Sequence, residues 1–164
     1  MAQNSGRHAV PGGRSEPRRL EALDMKRSLE SIGRIRTPYR TLEACPCGVD
    51  PKGPMCEVVV DEAFAEGLSG IEAGHAVLLL YWFDDVDRHR MIQRRRGEGE
   101  LRGVFALRSP HRPNPIAASV VTVERIDGRR LFVRGMDCLD GTPLLDIKPA
   151  SSPELEVFAG TGSE

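Results

Sequence analysis

Residues 108–115 crowd Arg108, His111, Arg112 and Asn114 among three prolines, directly after an apolar stretch. Arg112 and Asn114 each precede a proline, which biases them toward extended backbone. Side chains held this way have little entropy left to lose on binding. Each arginine offers a planar fork of donors suited to a carboxylate or phosphate, and the Asn114 amide both donates and accepts. The competing reading is a stiff connection between strands with solvated arginines.

A second cluster, Asp137, Asp140, Asp146 and Lys148, falls within twelve residues. Asp140 precedes Gly141, where an aspartate commonly caps its own turn. Asp146 and Lys148, two apart in a strand, project to one side as a pair of opposite charge beside a pocket. A carboxylate within hydrogen-bond reach of an N–H can serve as general base. Asp137 and Asp146 are both candidates; an Asp146 locked against Lys148 would be the weaker base and the better anchor. A third cluster, residues 87–96, holds six basic side chains in ten, Arg94, Arg95 and Arg96 among them. It reads as a solvated face or as an arm contacting phosphates without reading sequence.

The four cysteines, at 45, 47, 56 and 138, are too few for a disulfide scaffold and read as reduced thiols. Cys45 and Cys47 stand as C-x-C with no second pair nearby, which departs from the usual spacing of structural zinc, so no metal is expected. A net charge of −1 over 164 residues excludes a globally basic nucleic-acid binder but permits local patches. No apolar run approaches the roughly 20 residues that span a bilayer, and the first residues lack an apolar signal core. A cytoplasmic location is the expectation.

The elements that must position these clusters are short. Residues 1–29 have the composition of a tail that buries little apolar surface, with Met25 as a second candidate start; residues 30–150 form the domain, and 151–164 a second tail. Ile32 and Ile35 mark a first strand ended by Thr37-Pro38. Residues 56–60 form a β-branched strand, and Asp61 caps a short helix that stops at Gly67. Residues 76–83, apolar on both faces, predict a central buried strand whose exposed apolar side chains could also form a dimer seam. Residues 118–126 and 131–135 flank the hairpin signal Asp127-Gly128, and 144–147 form the last strand. Residues 97–103 superficially resemble a dinucleotide fingerprint, but no strand precedes them and charges fill them; they read as a solvated, mobile loop. Many short strands and no long amphipathic helix predict an all-β fold, a small antiparallel barrel with one or two short helices.

Several ordered blocks resemble the TsaA-like or TrmO family of AdoMet-dependent tRNA methyltransferases: Ile32-Gly-Arg-Ile-Arg-Thr-Pro-Tyr39, Gly103-Val-Phe-Ala-Leu-Arg-Ser-Pro110, Arg112-Pro-Asn-Pro-Ile116 with Ser119, and the run from Asp137 to Pro149. The resemblance implies a small β-barrel, usually a homodimer, that binds AdoMet without a Rossmann fold. The activity it implies is methylation of N6 of threonylcarbamoyl-adenosine beside the anticodon of a threonine tRNA. Carried onto this chain, AdoMet meets Arg108, Ala118, Cys138, Leu139, Asp140, Gly141 and Thr142, with further contacts from Pro46, Cys47, Gly48, Asp84 and Asp85. Main-chain groups near Leu139 would hold the adenine, and Asp140 or a nearby carbonyl the cationic end. Arg108 or Arg112 would meet a carboxylate of the methionine moiety or the substrate. Arg94, Arg95, Arg96, Arg112 and Asn114 face RNA, and Asp137, Asp146 and Lys148 are the catalytic candidates. The chain departs from the family pattern at Cys47-Gly48, where Arg-Gln is common, at Asp84 for His, at Ala117 for Gly and at Ala150 for Tyr. These departures bear on substrate more than on fold, and leave open an AdoMet-binding module without turnover or a methyltransferase with another substrate.

Overall fold

The computed structural model describes residues 28–95 and 98–150. Nine strands carry it: β1 (Gly33–Arg36), β2 (Met55–Val60), β3 (Ala76–Trp82), β4 (Ile92–Arg95), β5 (Glu98–Gly103), β6 (Ile116–Thr122), β7 (Arg125–Asp127), β8 (Arg130–Arg134) and β9 (Thr142–Pro149). Two 3-10 turns, Glu62–Leu68 and Val104–Ala106, interrupt them. Seven strands form one antiparallel sheet in the order β6-β3-β9-β1-β2-β8-β7, and β4 and β5 form a separate hairpin. The all-β class and the short helical pieces are as expected. Closure of the hydrogen-bonded ladder into a barrel is not shown, because it ends at β6 and β7, although β6 and β8 lie in contact.

Alternation places one face of each strand inward. Val58 and Val60 of β2, Val77, Leu79 and Tyr81 of β3, and Leu131 and Val133 of β8 form the core with Ile35, Met136, Cys138 and Leu144. Each large aliphatic side chain buried this way contributes about 1.5–3 kcal/mol. On β3, however, residues 76, 78, 80 and 82 are only half-buried, and the strand lies next to edge strand β6. The expected strand buried on both faces is therefore a strand buried on one. Leu and Trp on the outer side are covered in part, which periodicity alone does not distinguish from full burial.

Residues 98–103 correct another expectation. They pair with β4, with Gln93 opposite Arg102 and Arg94 opposite Leu101, and a register shift at Arg94/Arg95 is accommodated by Gly99 at φ 76°. Charged side chains on an exposed hairpin meet water on either face, so charge does not argue against strand. Gly97 and Arg96 lie outside the described residues. The Asp127-Gly128 signal does form a hairpin, joining β7 to β8 with Gly128 at φ 57°. Asp61 stands at the N-cap of Glu62–Leu68, but its side chain makes no capping bond.

The pairing of β3 with β9 contains a bulge that the sequence does not announce. Leu79 faces Ile147 and Leu80 faces Asp146, but Tyr81 faces Leu144, leaving Leu145 extra. One extra residue reverses which side chains point inward. Thr142 and Leu144 thus point into the core with Tyr81, while Asp146 and Lys148 share the outer face with Leu80 and Leu78.

Candidate functional site

The C-terminal end of β3 brings together much of what the sequence singles out. The Arg108 guanidinium donates to the Ala118 carbonyl at 3.0 Å, tying the proline-rich loop to β6. Beside Ala118, Ser119 is buried with its Oγ 2.8 Å from the Tyr81 hydroxyl. Tyr81 in turn donates to Asp137 Oδ1 at 2.5 Å. The Tyr81 ring is held edge-on against Phe83, centroids 5.5 Å apart. Burial, then the Asp137 charge, pushes the Tyr81 hydroxyl above its ordinary value of 10.0, so it stays protonated and donating.

Residues 138–142 form the adjoining wall. The Thr37 hydroxyl donates to the Cys138 carbonyl at 2.9 Å, and the Asp140 and Gly141 amides donate to the Tyr39 and Ile35 carbonyls, both at 2.8 Å. Gly141 sits at φ 85°, which starts β9 immediately after the turn. Asp140 does not cap its own turn. Its Oδ1 accepts from the Thr37 amide at 3.3 Å, and its Oδ2 meets Arg36 at 3.5 Å and Arg40 at 3.2 Å. Both carboxylate oxygens are committed, which makes Asp140 a tie between the β1 exit and this wall.

Gly135 is a determinant that sequence reasoning missed. At φ 61° it exchanges main-chain bonds with the preceding loop: the Asp50 amide donates to its carbonyl, and its own amide donates to Pro54, each at 2.9 Å. A Cβ there would lie 1.7 Å from the Asp50 carbonyl oxygen. This contact presses the 44–54 loop, with Pro46, Cys47 and Gly48, against the segment leading to Asp137. Cys45 in that loop has its thiol pushed up to about 11, by burial first and then by Asp137 and neighbouring Cys47 and Cys56. Burial likewise raises Cys56 and Cys138. Protonated thiols are poor nucleophiles and poor metal ligands, and among the described residues no group of three or more His, Cys, Asp or Glu is arranged to hold a metal ion.

Other candidates are placed differently. Arg112 is spent internally: Nε donates to Ser109 O at 2.8 Å, and an Nη reaches Leu107 O at 2.5 Å and Val104 O at 3.2 Å, closing the Val104–Ala106 turn. Asn114 is exposed, and Asp84 and Asp85 are exposed just past the end of β3. Arg94 is exposed and donates to the Gly99 carbonyl across the hairpin; Arg95 ends β4, and Arg96 lies outside the described residues. Asp146 and Lys148 pair at 2.6 Å on the outer face, at 42% and 55% side-chain exposure. Lys148 lines a separate cavity of about 560 Å³, with His75 and glycines 67, 70 and 74, at the opposite end of β3 from Tyr81.

The fold defines an all-β domain built on one antiparallel sheet, with no doubly wound sheet. Residues 34–153 match the family model of the tRNA-methyltransferase O N-terminal domain, and the chain belongs to that family. It is 45% identical over 125 residues to "Probable S-adenosyl-L-methionine-binding protein VirR" of Rhizobium radiobacter, covering 76% of this chain and 71% of that one. It is 38% identical over 128 residues to an S-adenosyl-L-methionine-binding protein of Archaeoglobus fulgidus, covering 78% and 91%. Its structure is similar to the crystal structure of TrmO from Pseudomonas aeruginosa, with a TM-score of 0.64 and 33% identity. The match takes in 85% of this chain and 61% of that one, so the chain spans less than two thirds of TrmO's length. Among the described residues no helix is long and apolar enough to cross a membrane.

Proposed function

We propose that the chain is an AdoMet-dependent methyltransferase acting on N6 of threonylcarbamoyl-adenosine beside the anticodon of a threonine tRNA, in the cytoplasm and as a homodimer. The observation that carries this reading is the meeting of Arg108, Ala118, Asp137 and residues 138–142 at one end of β3 in a member of this family.

The residues at that end fit the cofactor. Among the described residues the Leu139 amide and the Asp140 carbonyl have no main-chain partner, which suits the donor and acceptor edge of an adenine. A Cβ at Gly48 or Gly141 would meet nothing within 4 Å, so both present open main chain beside the wall. Exposed Arg108 offers a guanidinium to the methionine carboxylate. Because Asp140 is already held by two arginines, the cationic centre is better matched to a carbonyl of this wall. When bound, AdoMet supplies a methyl group on a sulfonium, and the protein's part is to orient the nucleophile and take its proton.

Asp137 is the better base. It lies at the Tyr81 end, one of its oxygens takes no bond among the described residues, and it forms no ion pair there. Asp146 is turned to the other face and bonded to Lys148. Arg94, Arg95, Arg96 and Asn114 contact RNA phosphates or sugars, which makes binding fall with salt. The homodimer reading draws support from the hairpin rather than from β3: Ile92 and Leu101 share one hairpin face, each 62% exposed, and Phe105 follows at 76%.

Calorimetric titration with AdoMet, beside a folded Arg108→Ala control, tests the pocket. Binding in the low micromolar range, weakened about tenfold or more in the control, followed by S-adenosylhomocysteine release on bulk tRNA, is the expected result. Binding without release would identify a sensor module. No binding to folded protein would remove the methyltransferase reading.

A further inference from the structure

We infer that Tyr81 and Ser119 are positioning residues for Asp137, orienting its carboxylate so that the second oxygen is available to take a proton from the nucleophile. The inference rests on the methyltransferase reading above and adds to it how the base is held.

Three elements converge on the Tyr81 hydroxyl: β3 carries it, β6 carries Ser119, and the segment after β8 carries Asp137. A phenol has one proton. With that proton on Asp137 Oδ1 at 2.5 Å, the 2.8 Å contact to Ser119 must run from the serine to the tyrosine oxygen. The order Ser119 to Tyr81 to Asp137 is thus fixed by donor counting, and each bond polarises the next. The bulge opposite Tyr81 keeps Leu144 inward beside it while turning Asp146 outward, and bulges commonly re-aim side chains next to active sites.

A purely structural partner for a buried phenol would be a carbonyl, which costs less to bury than a carboxylate. A purely structural aspartate would resemble Asp140, with both oxygens engaged and two arginines beside it. Asp137 has one neutral donor on one oxygen and no ion pair among the described residues. That is the arrangement of a carboxylate held in direction yet able to accept a proton.

The full chain is assayed with saturating AdoMet and bulk tRNA for kcat, by calorimetry for AdoMet affinity, and by ultraviolet absorbance for phenolate formation. Tyr81→Phe is expected to lower kcat about tenfold or more, to leave AdoMet affinity within about twofold, and to add little to the loss caused by Asp137→Asn, since it acts through that residue. Ser119→Ala gives a smaller drop of the same kind and stands in if Tyr81→Phe folds poorly. Tyr39 and Tyr81 are the two tyrosines of the chain, so a Tyr39→Phe background isolates Tyr81 in ligand-free protein. There, Asp137→Asn should let Tyr81 ionise at lower pH, with Cys138 the remaining acidic neighbour.

Wild-type kcat in a folded Tyr81→Phe protein, or losses that multiply in the double variant, would overturn the positioning role and leave Asp137 as base. Full activity in Asp137→Asn would overturn the base and this role together. If wild type binds no AdoMet, the methyltransferase reading fails instead; an unchanged Tyr81 ionisation in Asp137→Asn would then overturn the coupling independently.

Discussion

The two ends of the β3–β9 ladder hold similar residue types to opposite effect. At one end, Tyr81, Ser119 and Asp137 meet inside the sheet, with the phenol 1% exposed. At the other, Asp146 and Lys148 meet at 2.6 Å on the outside, beside a cavity lined by glycines and His75. The inner aspartate takes one bond from a neutral donor, while the outer one is neutralised by an ammonium and also accepts from the Ile147 amide at 2.9 Å. The extra residue in β9 turns Asp146 outward, while Asp137 reaches Tyr81 from the segment after β8. Among the described residues Asp137 is the carboxylate with the fewer partners, which is why the two aspartates are predicted to differ in function.

The comparison is broken most directly at the aspartates. Asp137→Asn is expected to lower kcat about 10²–10⁴-fold, the usual contribution of a positioned base, or about 3–5 kcal/mol in the barrier. Asp146→Asn should leave kcat within a few fold and stability within about 1 kcal/mol, because a pair this exposed is screened by solvent. Steady-state release of S-adenosylhomocysteine measures both. The reverse ranking would move the site to the outer face of the sheet.

A smaller effect, on stability, comes from the clamp that sets the loop against the inner end. Gly135→Ala forces a side chain into left-handed backbone at about 1–2 kcal/mol and drives its Cβ into the Asp50 carbonyl. The thermal midpoint should fall by several degrees and AdoMet affinity with it, since residues 46–48 lose their backing. Gly128→Ala, also at positive φ but with nothing within 4 Å of the added Cβ, should cost only the backbone term and leave affinity alone. Equal losses in the two variants would mean that the clamp does not reach the site.

Much of the frame was legible because it depends on local pattern. The β-branched run of residues 56–60, the Asp127-Gly128 turn and the apolar run of β3 each specify their element without distant help. The blocks around Arg108 and residues 137–149 carried the resemblance to the family whose model the chain matches. Pairing partners were not legible. Asp140 looks like a turn residue until Arg36 of β1 and Arg40 beyond it meet its carboxylate, and Arg112 looks like a ligand contact until its Nε and one Nη are found bonded to three carbonyls of its own loop. The bulge at Leu145 leaves no local signature, so the face that Asp146 and Lys148 share was not legible, although their pairing was. Residues 98–103 were misread because charge was weighed above alternation in a hairpin with no core to face.

The mildest test uses pH. Tyr81, Cys45 and Cys138 all keep their protons in the folded chain beyond their ordinary values of 10.0 for the phenol and 9.0 for the thiols, chiefly through burial. Unfolding lets each ionise at its ordinary value, so the unfolded chain releases protons first as pH rises. Their contribution to stability is therefore complete below about pH 9 and is lost above it, with Cys45 spent near 11. The thermal midpoint should be flat from pH 7 to about 8.5 and fall thereafter. Tyr81→Phe should start lower, having lost its bond to Asp137, but decline less steeply above pH 10. Lys148→Met, at the outer end, should run parallel to wild type in that range; a shallower slope there would place the alkaline weak point in the exposed pair and not in the buried phenol.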